Sequence, residues 1–394
     1  MSVVLRMIGA LAACLLIGAG TAEAIEYSFD ARLSATGTQN LLRDSSAQDD
    51  TYSTASLSAD IYPVSIARLN LLGEYTRYGN LTGLSNFLYG VGATVIPLSD
   101  SADFVIFASA NARRRSYEDD AADTLSSGAD QFNNADYDAL ASIGYNLTNS
   151  IQLRSGAAFR LSGYTLDEIA DKNNYDLFLG GNLTLPWSNV VDVEAGLSHG
   201  NFQYIIDSAR VYPIREERAY DVLTDGDLDA TYYSVRLSRP LGTTSGLSLV
   251  FSRRTFYNYE DRAIVYGYST GLLSPWVNSY EGNAIQARVK TFAIPGVIIT
   301  GGFSYSDREH HKTLERGYNP LTGAPMIGIF GTAFAKDRTD VNRRGFITIQ
   351  VPIAAGSGAV LEPMLRIEGA NNSSTIPVYT YSDITATLSI TYSR

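Results

Sequence analysis

Charged side chains in this sequence tend to stand at every second position, between apolar neighbours. Asp30 and Arg32 alternate with Phe29, Ala31 and Leu33, and Asp192 and Glu194 alternate with Val191, Val193 and Ala195. Successive side chains of a strand point to opposite faces, so this spacing collects charge on one face and hydrocarbon on the other. Along the whole chain the polar face gathers Arg32, Arg68, Arg113, Arg115, Arg154, Arg160, Arg236, Arg254, Arg288, Lys290, Arg344 and Arg366. It also gathers Asp30, Asp60, Glu74, Asp138, Asp176, Asp192, Glu194, Glu362, Glu368 and Asp383. Charges of both signs facing a shared interior are the chemistry of an aqueous passage, where rings or walls of charge set ion preference. Paired with one another, the same groups would instead fill a plugged interior.

Other chemistries find less support. Glu118, Asp119, Asp120, Asp123 and Asp130 crowd one stretch between strands, where a solvated acidic loop could bind divalent cations weakly. The histidines are His199, His310 and His311. His199 is read on the polar side of its strand beside Ser198, but a nucleophilic site needs a third group, and none is identifiable. His310 and His311 are adjacent and point apart on a strand, which is poor geometry for a metal. Gly180-Gly181 is not followed by a helix, so it is not a phosphate loop. No catalytic group, metal or cofactor is expected.

The elements that must position these charges are strands. Tyr137–Leu161 forms two arms about a Leu-Thr-Asn-Ser turn, each about ten residues or more, close to the ~9–11 that cross a bilayer at a tilt. The pattern recurs from Ile25 to the end and gives about sixteen strands. Short turns fall near residues 63, 99, 148, 187, 242, 294 and 355. Long loops cover roughly 37–51, 78–85, 116–134, 164–173, 204–229, 258–280, 308–340 and 371–381. Short connections on one side and long ones on the other mark a transmembrane barrel with periplasmic turns and extracellular loops. Residues 25–394 are read as one domain.

Residues 1–24 read as a signal peptide: Arg6, an apolar run from Met7 to Gly20, then the small-x-small site Ala22-Glu23-Ala24. A competing lipoprotein box ends at Cys14, but the apolar run continues past it. Cys14 is the single cysteine, so the mature chain has no disulfide and no cysteine metal site. Beyond the leader no stretch has the ~18 apolar residues of a membrane helix. The net charge of −11 argues against nucleic acid.

No helices are available to cover the apolar face of so large a sheet. Lipid can cover it, and lipid tolerates no open sheet edge, so the sheet must close. Tyr75, Tyr89, Tyr137, Tyr175 and Tyr305 stand where strands meet long loops, with Trp187 and Tyr392 near the opposite rim. They read as interfacial girdles.

On these features the chain resembles bacterial outer-membrane β-barrels, and in size and strand count the 16-stranded general porins. The resemblance rests on alternation, loop asymmetry and the leader. It implies an all-β, up-and-down antiparallel barrel in the outer membrane and passive diffusion of ions or small hydrophilic solutes. The alternative is a plugged barrel serving surface binding, export or the structure of an outer-membrane complex. The implied partners are outer-membrane lipid and the barrel-assembly machinery, with a homo-oligomer compatible. In general porins the third loop folds inward. By that likeness Glu118, Asp119, Asp120, Asp123 and Asp130 would form a constriction facing Arg113, Arg154 and Arg160. The last strand alternates Ala386, Leu388, Ile390 and Tyr392 but ends in Ser393-Arg394, where the assembly signal has an aromatic residue.

Overall fold

The computed structural model describes residues 26–41, 47, 49–95, 103–118, 133–164, 172–203, 225–259, 280–314, 317–318, 325–326, 335–356, 358–375 and 377–394. Sixteen long strands make up the wall. They are β1 (Glu26–Thr38), β2 (Asp50–Val64), β3 (Ala67–Tyr78), β4 (Asn86–Val95), β5 (Phe104–Tyr117), β6 (Asn134–Thr148), β7 (Ile151–Tyr164) and β8 (Lys172–Leu185). The second half is β9 (Asn189–Gln203), β10 (Asp225–Leu241), β11 (Ser245–Tyr259), β12 (Glu281–Thr291), β13 (Ile298–Leu314), β14 (Ala335–Gln350), β15 (Ala359–Ser374) and β16 (Tyr381–Ser393). Each pairs antiparallel with its sequence neighbour, and the short piece Ile353–Gly356 adds to the end of β15. A two-residue ladder, Gly317–Tyr318 with Pro325–Met326, lies between β13 and β14.

The wall closes where β16 meets β1, in continuous register from Asp30↔Ser393 to Thr38↔Thr385. The final residue extends the seam: Arg394 N–H donates to the Phe29 carbonyl at 2.9 Å, and Phe29 N–H to the Arg394 carbonyl at 2.7 Å.

The register also sets the width. Following paired residues once round returns about 20 residues further along β1. With strands ~4.7 Å apart and a rise of ~3.3 Å per residue, that stagger tilts the strands by roughly 40°. The backbone cylinder then has a radius of about 15–16 Å, wide enough for water between facing side chains.

The apolar rows face outward. Leu177, Leu179, Ile106 and Leu388 are 61%, 69%, 60% and 60% exposed. Among the described residues the buried apolar cluster is small: Leu41, Tyr78, Leu81 and Leu84, flanked by Tyr52 and Tyr117. A protein folded in water hides such rows, since large contiguous apolar patches are rare on soluble surfaces. A bilayer is the surrounding that a closed, outwardly apolar sheet of this kind fits.

One rim carries tight connections. Trp187 and Ser188, at the turn from β8 to β9, sit at φ 60° and 57°, and Trp187 is 85% exposed. Gly242, at φ 69° between β10 and β11, takes a left-handed turn position that a Cβ would strain. On the long-loop rim, residues 79–85 fold against the inward rings of Tyr52, Tyr78 and Tyr117 through Leu81 and Leu84. Asp50 fixes that fold. Its Oδ1 accepts from the N–H of Thr51 at 2.6 Å, Asn80 at 2.8 Å and Gly79 at 3.2 Å, and its Oδ2 from Leu81 N–H at 3.0 Å.

Candidate functional site

The candidate site is the inner wall of the barrel. Strict alternation within the register puts all fifteen of the expected lumen residues on the inward face. Arg68 approaches Asp60 at 3.9 Å, and Asn70 donates to the same carboxylate at 2.8 Å. Arg113 lies 3.8 Å from Asp138, which accepts from Asn111 at 2.7 Å and sits across from Arg160 in the next strand. Arg154 on β7 reaches past β8 to Asp192 at 3.1 Å and Glu194 at 2.9 Å on β9. Gly180 makes that reach possible, since a Cβ there would stand 3.1 Å from Arg154 Nε. Asp176 accepts from Asn174 at 2.9 Å, and Glu362 from Gln350 at 3.0 Å. Arg366 pairs with Glu368 at 2.6 Å and lies 4.2 Å over the Phe346 ring.

The two signs are not mixed evenly round the wall. From β10 to β14 the inward face carries Arg236, Arg254, Arg288, Lys290, Arg308 and Arg344. Among the described residues the inward acid on these strands is Asp340, near the long-loop end, 3.2 Å from Arg338 and 3.6 Å from His310. Arg308 stacks 4.7 Å from the Tyr280 ring, and Arg344 Nε donates to Asn342 at 3.1 Å. Arg236, Arg288 and Lys290 are exposed inside the barrel, with no ion-pair partner among the described residues. The acids of β2 to β9 are largely occupied by the pairs above. The excess positive charge therefore belongs to one arc.

Solvent access differs round the lumen too. Arg113, Arg160, Arg236, Gln286, Arg288 and Lys290, on β5 to β12, are exposed. On β13 to β16 and β1 the inward Ser306, His310, Asp340, Asn342, Thr348, Asp383, Ser389, Thr36 and Thr38 are buried. Asp383 there accepts from Thr38 at 2.7 Å and from Asn40 N–H at 3.1 Å. Arg32, lower on β1, remains exposed.

Inward aromatic rings lie over glycines of adjacent strands. Phe178 covers Gly156, Tyr232 covers Gly196 and Phe346 covers Gly302. These pairs were not foreseen from the sequence, although each ring stands on a strand's polar face near a glycine of the next.

His199 does not lie on the polar face: it shares the outer face with Leu197, two residues earlier on β9, and pairs with outward Tyr175. Its Nδ1 lies 2.6 Å from Asp229 Oδ1, and its ring centroid 6.4 Å from that of Tyr175. Of the acidic stretch, Glu118 is exposed at the end of β5, whereas Asp119, Asp120, Asp123 and Asp130 lie outside the described residues. No group of metal-ligating side chains occurs among the described residues.

The closed sixteen-strand sheet, outward hydrocarbon and charged interior define a β-barrel of the transmembrane type. No family model and no curated protein matches the sequence. CdiB from Acinetobacter baumannii superposes with a TM-score of 0.50 at 11% identity, over 93% of this chain and 60% of that one. The chain thus spans less than two thirds of CdiB. OccAB1 of the same organism has a TM-score of 0.47 at 11% identity, over 94% of this chain and 96% of that one. OccK3 of Pseudomonas aeruginosa has 0.45 at 10%, over 94% and 95%. These are likenesses of fold.

Proposed function

We propose that this chain is a passive channel of the bacterial outer membrane, with its long loops outside, and that it favours small anions and anionic hydrophilic solutes. The observation that carries the reading is the arc of exposed, unpaired inward cations Arg236, Arg288 and Lys290 in a barrel wide enough to hold water. Cations on a low-dielectric wall raise the local concentration of anions. A lumen lined in this way sets preference by charge. The barrel-assembly machinery would insert it after removal of the leader.

Planar-bilayer recording tests this. In a salt gradient the folded barrel is expected to give an anion-directed reversal potential. The triple substitution Arg236→Glu, Arg288→Glu and Lys290→Glu is expected to shift it toward cations. A folded barrel without conductance would sink the channel reading. It would favour the second one, a plugged barrel with a binding or structural role, for which the buried inward Ser306, Asp340, Asn342, Thr348 and Ser389 speak.

A further inference from the structure

Three aromatic side chains of the lumen fall on one line across the sheet. In the register Phe107 on β5 pairs with Ser142, Ser142 with Gly156, Gly156 with Phe178, Phe178 with Gly196, and Gly196 with Tyr232 on β10. Alternation turns this whole line inward. The line also climbs. Phe107 stands three residues above the short-turn end of β5 at Phe104, Phe178 seven above Leu185 on β8, and Tyr232 nine above Leu241 on β10. Strands ~4.7 Å apart and tilted by roughly 40° raise such a line by about 3 Å per strand. From β5 to β10 the rings therefore mount the inner wall as a ramp of about 15 Å.

The small residues between the rings decide how the rings lie. Phe178 leans back over Gly156, and Tyr232 over Gly196, with far ring atoms where a Cβ would stand. The glycine behind each ring lets it lie along the wall, which turns its other face to the lumen. On Phe346, laid over Gly302 in the same way, the Arg366 guanidinium stacks at 4.2 Å. Among the described residues no ring or cation stacks on Phe107, Phe178 or Tyr232. Leu140 and Ala158, inward partners one row higher, extend the apolar surface between Phe107 and Phe178.

Beyond Tyr232 the same line continues to Arg254 and, after Gly282, to Arg308. The ramp of rings thus runs up into the cationic arc. Of the acids beside it, Glu194 is held by Arg154 at 2.9 Å. Asp176, one row above Phe178, accepts from Asn174 at 2.9 Å and steers an anion's charged end toward β11. Flat apolar faces with a guanidinium at their upper end suit a solute that is itself flat and apolar with one negative end. A polyhydroxylated solute gains less. Leu140, Gly156, Ala158 and Gly196 have no side-chain donor or acceptor to replace the water that its hydroxyls would lose.

We infer that Phe107, Phe178 and Tyr232, with Arg254 above them, form a stacking ramp that selects aryl carboxylates among small anions. The inference rests on the anion-selective reading above and names the solute class.

The test uses the full refolded chain in mild detergent and ligand-detected saturation-transfer NMR. The probes are benzoate and cyclohexanecarboxylate, which match in charge and nearly in size but differ in the π face. The wild type is expected to bind benzoate at least about threefold more tightly. The variant Phe178→Leu/Tyr232→Leu keeps apolar volume without a ring, and is expected to lose benzoate affinity by about fivefold and the distinction between the probes. If that variant does not fold, as judged by heat-modifiable gel mobility, Tyr232→Leu alone is expected to lose about threefold, and Tyr232→Phe to retain wild-type binding. Equal affinity of the wild type for the two probes overturns the inference, as does unchanged benzoate binding in the leucine variant or no benzoate binding at all. Planar-bilayer recording of the same preparations separates the two ideas. A silent wild type that still prefers benzoate through these rings defeats only the channel. An anion-selective wild type that treats the two probes alike defeats only the ramp.

Discussion

At the residue scale the lumen is built by exchanges between neighbouring strands. Gly156 has no side chain because Phe178 occupies its space and the Ala141 carbonyl lies 2.6 Å from where a Cβ would stand. The ring can swing aside, but the backbone oxygen is held by the sheet. Gly156→Ala is therefore expected to destabilise the barrel by about 1–3 kcal/mol, as overpacked sites do. Gly73→Ala, where no atom lies within 4 Å of the added Cβ, should be close to neutral. Urea unfolding of both variants in detergent, followed by tryptophan fluorescence, makes the comparison. The sequence disclosed which face each charge occupies, because alternation needs only local spacing. It did not disclose that Arg154 spans β8 to meet Asp192 and Glu194, since that depends on Gly180 of the intervening strand leaving room. His199 was assigned to the wrong face by its neighbour Ser198, although the count from Leu197 puts it outside.

At the element scale the strands were legible and the behaviour of the loops was not. Strand spacing is carried by consecutive residues, whereas the inward fold of residues 79–85 depends on Asp50, about thirty residues away on another strand. That carboxylate is 3% exposed and serves four backbone donors. Its removal leaves the buried Leu81 N–H without that acceptor, at a cost of about 1–3 kcal/mol, and takes a partner from three part-buried donors. Asp50→Ala is expected to release residues 79–85 from Tyr52, Tyr78 and Tyr117, leaving the strands intact. Limited proteolysis should then cut between Gly79 and Ser85 in the folded barrel, whereas wild type resists. Asp50→Asn keeps one acceptor oxygen and should be cut more slowly. An uncut Asp50→Ala barrel would show that the apolar contacts of Leu81 and Leu84 hold the loop alone.

At the scale of the whole molecule, the barrel has two walls with different access to water. The stagger of the strands makes the cylinder wide, yet inward Ser306, Asp340, Thr348 and Ser389 on β13, β14 and β16 are buried, whereas inward Arg113, Arg160, Arg236 and Arg288 on β5 to β12 are exposed. If a path for solute exists it follows the second wall, which is also where the unpaired cations Arg236, Arg288 and Lys290 stand. Neither property could be read from the sequence, because both depend on what faces what across the lumen. The chain offers a clean way to test the asymmetry, since Cys14, outside the strands, is its single cysteine. Ser248, inward and half-buried on β11, and Ser389, inward and 2% exposed on β16, differ by position round the wall. After Ser248→Cys the thiol is expected to react rapidly with a charged methanethiosulfonate reagent and to lower the single-channel current. After Ser389→Cys it should react at least about tenfold more slowly, because thiolate exchange requires access. An anionic reagent should also outpace a cationic one of similar size at residue 248, since the field of β10 to β14 attracts it. Equal rates at the two positions would mean that water reaches both walls alike, and the solute path would then have to be drawn through the whole lumen.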